Sequence, residues 1–267
     1  MPPTNRPHRA AGWVPTQHGA WAMLAIPYLA GVILRSRDDV LATYLIPLAG
    51  FWVVGYLTFY AASCWLKVPP NRRPSQRQPV LTYAGVAAIL GLVTIAMAGP
   101  GIAWWALPFL PPLAGALWLA GRRRERVLLG GGLTVAAASL MTLVARFTTP
   151  FDLVASWGSP PATTAVMVTG LVFGYLFGTV LYVKTMIRQR GNLAWLAASV
   201  GWHVAVTLLT AGIGGQAGVG WPVFFGATSL RAWLMPQLAG RRPVSPKVVG
   251  FAEVGFSALL ILVVALG

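Results

Sequence analysis

Residues 162–190 read ATTAVMVTGLVFGYLFGTVLYVKTMIRQR, without a charge from Ala162 to Val183 and then with Lys184, Arg188 and Arg190 in close succession. A hydrocarbon core about 30 Å thick is crossed by about 20 residues of helix. Backbone amides in lipid must be paired internally, so an apolar run of this length folds as a helix rather than as a strand of an open sheet. The stretch therefore predicts a membrane-spanning helix that ends in a basic connector. The same pattern recurs along the chain, at about 19–34, 40–66, 80–98, 101–120, 127–145, 162–183, 193–213, 219–238 and 248–266. These segments predict an all-α polytopic membrane helix bundle of about nine transmembrane helices, forming a single domain over residues 16–267. Residues 1–15 carry four prolines and two arginines before any apolar run begins, and are expected to be a flexible cytoplasmic tail.

Composition agrees with this reading. Of the 267 residues, 57% are apolar and 9% charged, where soluble proteins run to about 25% charged. The formal charge of +15 would suggest nucleic-acid binding in a soluble chain. Here the bases sit in short connectors between apolar runs, where they act as orientation signals and attract anionic headgroups, so no nucleic-acid partner is expected. The single cysteine, Cys64, excludes a disulfide framework or a cysteine zinc site within one chain. No metal or cofactor is expected. The N-terminus has no uninterrupted apolar core followed by a small-residue cleavage site, so it is not read as a removable signal peptide.

Counting charge by side fixes the expected orientation. With the N-terminus in the cytoplasm, sixteen bases fall on that side: Arg6 and Arg9 in the tail, Lys67, Arg72, Arg73 and Arg77 in the second connector, and Arg122, Arg123, Arg124 and Arg126 in the fourth. Lys184, Arg188 and Arg190 follow in the sixth, and Arg241, Arg242 and Lys247 in the eighth. The other side holds Arg35, Arg37 and Arg146, partly balanced by Asp38, Asp39 and Asp152. This asymmetry predicts a multi-pass membrane protein with its N-terminus in the cytoplasm. Trp65, Trp118, Trp195 and Trp233 near the cytoplasmic ends, and Trp104, Trp105 and Trp221 near the outer ones, fit the headgroup layers.

Ionisable groups within a bilayer cost about 2.5–3.5 kcal/mol each on insertion scales, so each one asks for a partner or a purpose. Arg231 and Glu253 lie at similar depths, about 10 Å from the cytoplasmic ends of the eighth and ninth segments at 1.5 Å per residue. A short turn joins those segments, which predicts antiparallel neighbours and an Arg231–Glu253 pair, serving either to pin two helices or to bind a ligand. His203 falls near the middle of the seventh segment, beside Trp202 and Thr207. It reads as a neutral histidine bonded to a neighbouring helix, or as a proton acceptor or substrate contact. Tyr56, Tyr60, Ser63 and Lys67 share one face of the second segment, and Lys184 and Arg188 share a face at the end of the sixth. The bases among them also fit simple snorkelling to the interface. His18 stands at the mouth of the first segment and Lys247 at the start of the ninth.

Taken together, these groups predict a cavity open to the cytoplasm and lined by His18, Tyr60, Lys67, Lys184, Arg188, Arg231, Lys247 and Glu253, with His203 at mid-depth as a further ligand contact. Its net charge is positive, and its expected guest is an anion or an anionic headgroup. Gly170, Gly174 and Gly178 leave a smooth face on the sixth segment, which suits a packing seam within the bundle or a contact with a second copy or another subunit.

QHGAW at 17–21, YVKTMIRQR at 182–190, the Trp202-His203 pair and PKVVGFAEVG at 246–255 together resemble the YwiC-like family of bacterial membrane proteins. The resemblance runs through most of the chain, and the first two motifs are the most specific. That family has no assigned activity, so the resemblance implies a bacterial membrane protein without supplying a reaction. Its pattern follows the Ile-Arg pair with an acid where this chain has Gln189, so no role needing that carboxylate carries over. The layout is also similar to that of UbiA-type prenyltransferases, which hold magnesium diphosphate with two aspartate-rich motifs. Here the corresponding ends carry Lys67, Lys184 and Arg188, and the three aspartates fall on the other side, so magnesium-dependent prenyl transfer is not expected. The leading expectation is a basic cavity that binds an anionic lipid or prenyl-phosphate-like amphiphile. The alternatives are a transporter for a small anion or metabolite, with His203 and Glu253 carrying protons, and a non-catalytic membrane subunit.

Overall fold

The computed structural model describes residues 12–15, 19–38, 41–213, 218–241 and 246–267. Among these the chain forms ten α-helices and no strand. They are α1 (Gly19–Asp38), α2 (Leu45–Lys67), α3 (Arg77–Ala98), α4 (Ala106–Gly121), α5 (Leu128–Arg146), α6 (Pro150–Ala155), α7 (Pro160–Ile187), α8 (Leu193–Ile213), α9 (Gly220–Arg241) and α10 (Pro246–Leu266). All but the short α6 coincide with the nine expected segments. Seven meet the length and apolarity needed to cross a membrane: α2, α3, α4 with the 3-10 turn before it, α5, α7, α8 and α10. The protein is thus an all-α polytopic bundle. α1 and α9 fall short of that test, with Pro27, Arg35 and Arg37 in the first and Arg231 and Pro236 in the second.

Local chemistry explains several boundaries. Thr149 and Asp152 form a reciprocal capping box at the start of α6, with Thr149 N donating to Asp152 Oδ2 at 2.7 Å and Asp152 N to Thr149 Oγ1 at 3.2 Å. Ser159 caps α7 by accepting from Ala162 N at 3.4 Å, with Pro160 at the first helical position. Asn192 Oδ1 accepts from Ala194 N at 3.1 Å where α8 begins. None of these caps carries an apolar period, so α6 and the 3-10 turns at Pro70–Gln76 and Pro100–Trp105 were not expected from the pattern of apolar runs.

The core centres on α5 and α7. Over the membrane-length windows, 56% of α5 and 50% of α7 is buried, against 11% of α3, whose Leu81, Ile89, Leu92 and Met97 are left facing outward. α1 crosses α5 at Gly31. A β-carbon built there would stand 2.3 Å from the Thr142 carbonyl oxygen, so only glycine allows this approach.

Contacts between helix ends show which connectors share a side. Lys67 at the end of α2 pairs with Glu125 in the α4–α5 connector at 2.9 Å, and Arg123 donates to the Lys67 carbonyl at 3.1 Å. Lys184 near the end of α7 donates to the Arg126 carbonyl at 2.7 Å, and Arg190 donates to the Ala239 carbonyl near the end of α9. The base-rich connectors therefore gather at one end. There Arg73, Arg122 and Lys184 stack on Trp65, Trp118 and Trp195 at 5.0, 4.3 and 5.2 Å. Trp13 reaches the same end, where Tyr83 Oη donates to its carbonyl at 2.6 Å. At the base-poor end, Arg35 donates to Tyr44 Oη at 2.7 Å and to the Arg146 carbonyl at 3.3 Å, and Arg37 donates to the Val264 carbonyl. Two of its three bases are thus tied into the fold through named bonds, and the third, Arg146, is largely buried with its guanidinium 4.8 Å from the Phe147 ring.

Candidate functional site

α9 packs against α7, α8 and α10, and the wedge between them holds a polar interior region. Arg231 of α9, with a side chain 4% exposed, donates from Nη1 to Oε1 of Glu253 on α10. Arg231 and Glu253 thus form the pair expected of antiparallel neighbours at equal depth. Two aromatic rings enclose the guanidinium, with Tyr182 at 4.4 Å and Phe256 at 4.5 Å.

Both carboxylate oxygens of Glu253 accept hydrogen bonds. Oε1 takes Arg231, and Oε2 takes Thr179 Oγ1 at 3.0 Å with Tyr175 Oη at 3.4 Å. Tyr175 also meets Ser257 Oγ at 3.2 Å. The α7 residues Tyr175, Thr179 and Tyr182 follow at spacings of four and three, which sets them on one face. The sequence reading missed this stripe although its spacing was visible. The glycine period on the same helix took its place.

The guanidinium is not saturated. Nε and Nη2 of Arg231 are buried and have no hydrogen-bond partner among the described residues. These two nitrogens form the side-on edge of the guanidinium, the parallel-donor fork that matches a carboxylate or phosphate. Tyr182 Oη, Ser199 Oγ and His203 Nε2 are likewise buried without a partner among the described residues. His203, 1% exposed on α8, has Nδ1 2.7 Å from the Ser199 carbonyl oxygen. Its Nε2 abuts Gly178 of α7, where a β-carbon would stand 2.8 Å away.

The expected cavity does not assemble as one hollow. Tyr60 and Lys67 lie on α2, which packs against α1, α3 and α4, away from the wedge that holds Arg231. Lys67 is engaged with Glu125, Lys184 with the Arg126 carbonyl and the Trp195 ring, and Arg188 is an exposed residue capping α7. His18 lies outside the described residues, as does the Lys247 side chain. The structure brings together Arg231 and Glu253, with His203 across the α7–α8 seam, and leaves Lys67, Lys184 and Arg188 as a basic rim. The glycine face is taken in part: Gly174 meets Val206 and Gly178 meets His203 and Trp202, an internal packing seam with α8, whereas a β-carbon at Gly170 meets nothing within 4 Å.

At the rim, burial pushes the Glu125 carboxyl up, but the hydrogen bond from Lys67, its own backbone and the Lys67 and Arg126 charges together hold it below the ordinary carboxylate range. The resulting contribution is present above the ordinary carboxylate pKa and is lost as pH falls through the lowered value of the folded state. Glu125→Gln is expected to cost only about 0–1 kcal/mol at neutral pH, because both side chains are about a third exposed, and less at acid pH. Denaturation in detergent at two pH values checks this.

An all-helical multi-pass membrane protein with an ion pair and an open guanidinium edge buried among its helices is the class that this fold and site define. A family model described as YwiC-like protein matches residues 14–146. The chain is similar over nearly its whole length to a Bacillus subtilis (strain 168) protein described as uncharacterized protein YwiC, at 29% identity over 257 residues, 95% of this chain and 97% of that one. Both matches are to YwiC-like proteins, the first over the N-terminal half of the chain and the second over nearly all of it. No solved structure shows significant similarity to it.

Proposed function

We propose that the protein sits in the bacterial cytoplasmic membrane with its basic end toward the cytoplasm, and that Arg231 binds the phosphate of an anionic lipid or prenyl-phosphate-like amphiphile. The open Nε–Nη2 edge carries this reading. A buried polar group without a partner costs about 1–3 kcal/mol, and more when charged. Two such donors on one guanidinium at membrane depth therefore call for a guest with paired oxygens, and phosphate has them. The flanks of the wedge favour an amphiphile over a free ion. Leu230 and Trp233 on α9, and Phe251 and Val254 on α10, are exposed on the outer surfaces of the two helices, so an acyl or prenyl chain finds apolar ground beside the pair. The basic connectors supply attraction to anionic headgroups, worth about 1 kcal/mol per base near a membrane surface.

Native mass spectrometry of the full chain purified from its own membrane tests this. It should retain a phosphate-bearing amphiphile, its mass separating a phospholipid diester from a polyprenyl monophosphate. Replacing Arg231→Met together with Glu253→Gln avoids stranding one charge and should remove the bound species. Equal retention by wild type and double variant, or displacement of the guest by inorganic phosphate alone, overturns the reading.

A further inference from the structure

Resting on the anion site just described, we infer that His203 is its proton-accepting half, so that each anion bound brings one proton with it. A carbonyl oxygen only accepts, so the 2.7 Å contact between His203 Nδ1 and the Ser199 carbonyl assigns the hydrogen to Nδ1. In the neutral ring the lone pair then sits on Nε2, the buried nitrogen without a partner among the described residues.

Charge balance supplies the rest. Arg231 and Glu253 cancel each other, so the resting wedge is neutral. A bound phosphodiester adds one negative charge in a medium that penalises any net charge. One proton on a nearby base restores neutrality. Glu253 is the poorer place for it, since a proton there would weaken the ion pair on Oε1, while Oε2 already accepts from Thr179 and Tyr175. Tyrosines 175 and 182, the other titratable groups that α7 presents here, are neutral acids and supply no resting base. Arg231 faces the site from α9 as a permanent cation, its guanidinium 4.4 Å from the ring of Tyr182, which lies one α7 turn beyond the Gly178 that His203 Nε2 abuts. Lys184, farther along α7, is held at the rim by the Arg126 carbonyl. His203 Nε2 is left as the vacant base. On protonation Nδ1–H stays on the Ser199 carbonyl and Nε2–H donates to an oxygen of the guest, with the proton coming from solvent and no bond broken elsewhere.

The test uses the full-length protein in detergent with dihexanoyl phosphatidylglycerol, a phosphodiester that stays singly charged across neutral pH. Calorimetry in two buffers of different ionisation heat counts the protons. Wild type should take up about one proton per lipid, and its Kd should weaken about tenfold per pH unit above neutrality, the slope that one linked proton requires. His203→Gln should bind with neither proton uptake nor slope. Binding by wild type without proton uptake overturns the inference and leaves the anion site standing, whereas no binding at any pH overturns both. Uptake that persists in His203→Gln assigns the proton elsewhere and also overturns it. Should that variant not fold, nitrogen-15 NMR of histidine-labelled wild type replaces it: Nε2 should pass from lone-pair to protonated on lipid binding, and an unchanged signal overturns the inference.

Discussion

Glu253→Ala is expected to destabilise the folded protein by about 3–5 kcal/mol, because it leaves the Arg231 guanidinium buried without its counter-charge. The pair itself need not be stabilising. Taking two charges out of water costs several kcal/mol per ion, and mutual attraction repays this only when the geometry is good and the remaining donors are satisfied. Here two donors of Arg231 are left open, so the pair is held below its best. Arg231→Met combined with Glu253→Leu should accordingly recover most of the loss, and match or exceed wild-type stability in detergent unfolding. That pattern, a costly single change with a tolerated apolar double change, is expected if the pair is kept for a ligand rather than for the fold. A Glu253→Ala protein as stable as wild type would mean that water already reaches Arg231 and the wedge is not dry.

Gly31→Val is expected to cost about 3 kcal/mol or more, at or beyond the upper end for overpacking, because what the new side chain meets is mostly backbone. A β-carbon at Gly31 would stand 2.3 Å from the Thr142 carbonyl oxygen and 2.7 Å from Ala145 Cβ, and neither atom can rotate aside. α1 and α5 would have to part. Arg35, one turn farther along α1, would then lose its bond to the Arg146 carbonyl, so the damage would spread to the base-poor end. Gly55 on α2 is the control, since a β-carbon there meets nothing within 4 Å and Gly55→Ala should leave stability unchanged or raise it by about 0.5–1 kcal/mol. Comparing the unfolding midpoints of the two variants with wild type checks both statements.

The helical segments were legible in the sequence because lipid imposes both a length and an apolar composition on each one, as residues 162–190 illustrate. Boundaries were less so. α2 begins at Leu45 rather than near residue 40, and α7 runs on to Ile187, carrying Lys184 inside the helix. No apolar period marks those ends. Within the site, Arg231 and Glu253 could be paired in advance because a short connector forces antiparallel neighbours and depth then selects the partner. The joining of the α2 stripe to that pair was not legible. Spacing puts Tyr60 and Lys67 on one face of their own helix, but does not say which helices that face will meet, and the bundle set α2 against α1, α3 and α4. Lys67 found Glu125 instead, an acid in a connector whose fold no helical period describes. The unsaturated edge of Arg231 and the fixed tautomer of His203 are likewise matters of side-chain geometry, with no trace in residue type.

The most direct measurement is a high-resolution cryo-electron microscopy map of the protein in nanodiscs of its native lipids. Two oxygens of a bound phosphate group should lie about 2.7–2.9 Å from Arg231 Nε and Nη2, with the lipid chain leaving between α9 and α10. A map in which that edge holds only water or turns onto another protein group, while lipid phosphates stay at the basic rim, would contradict the account.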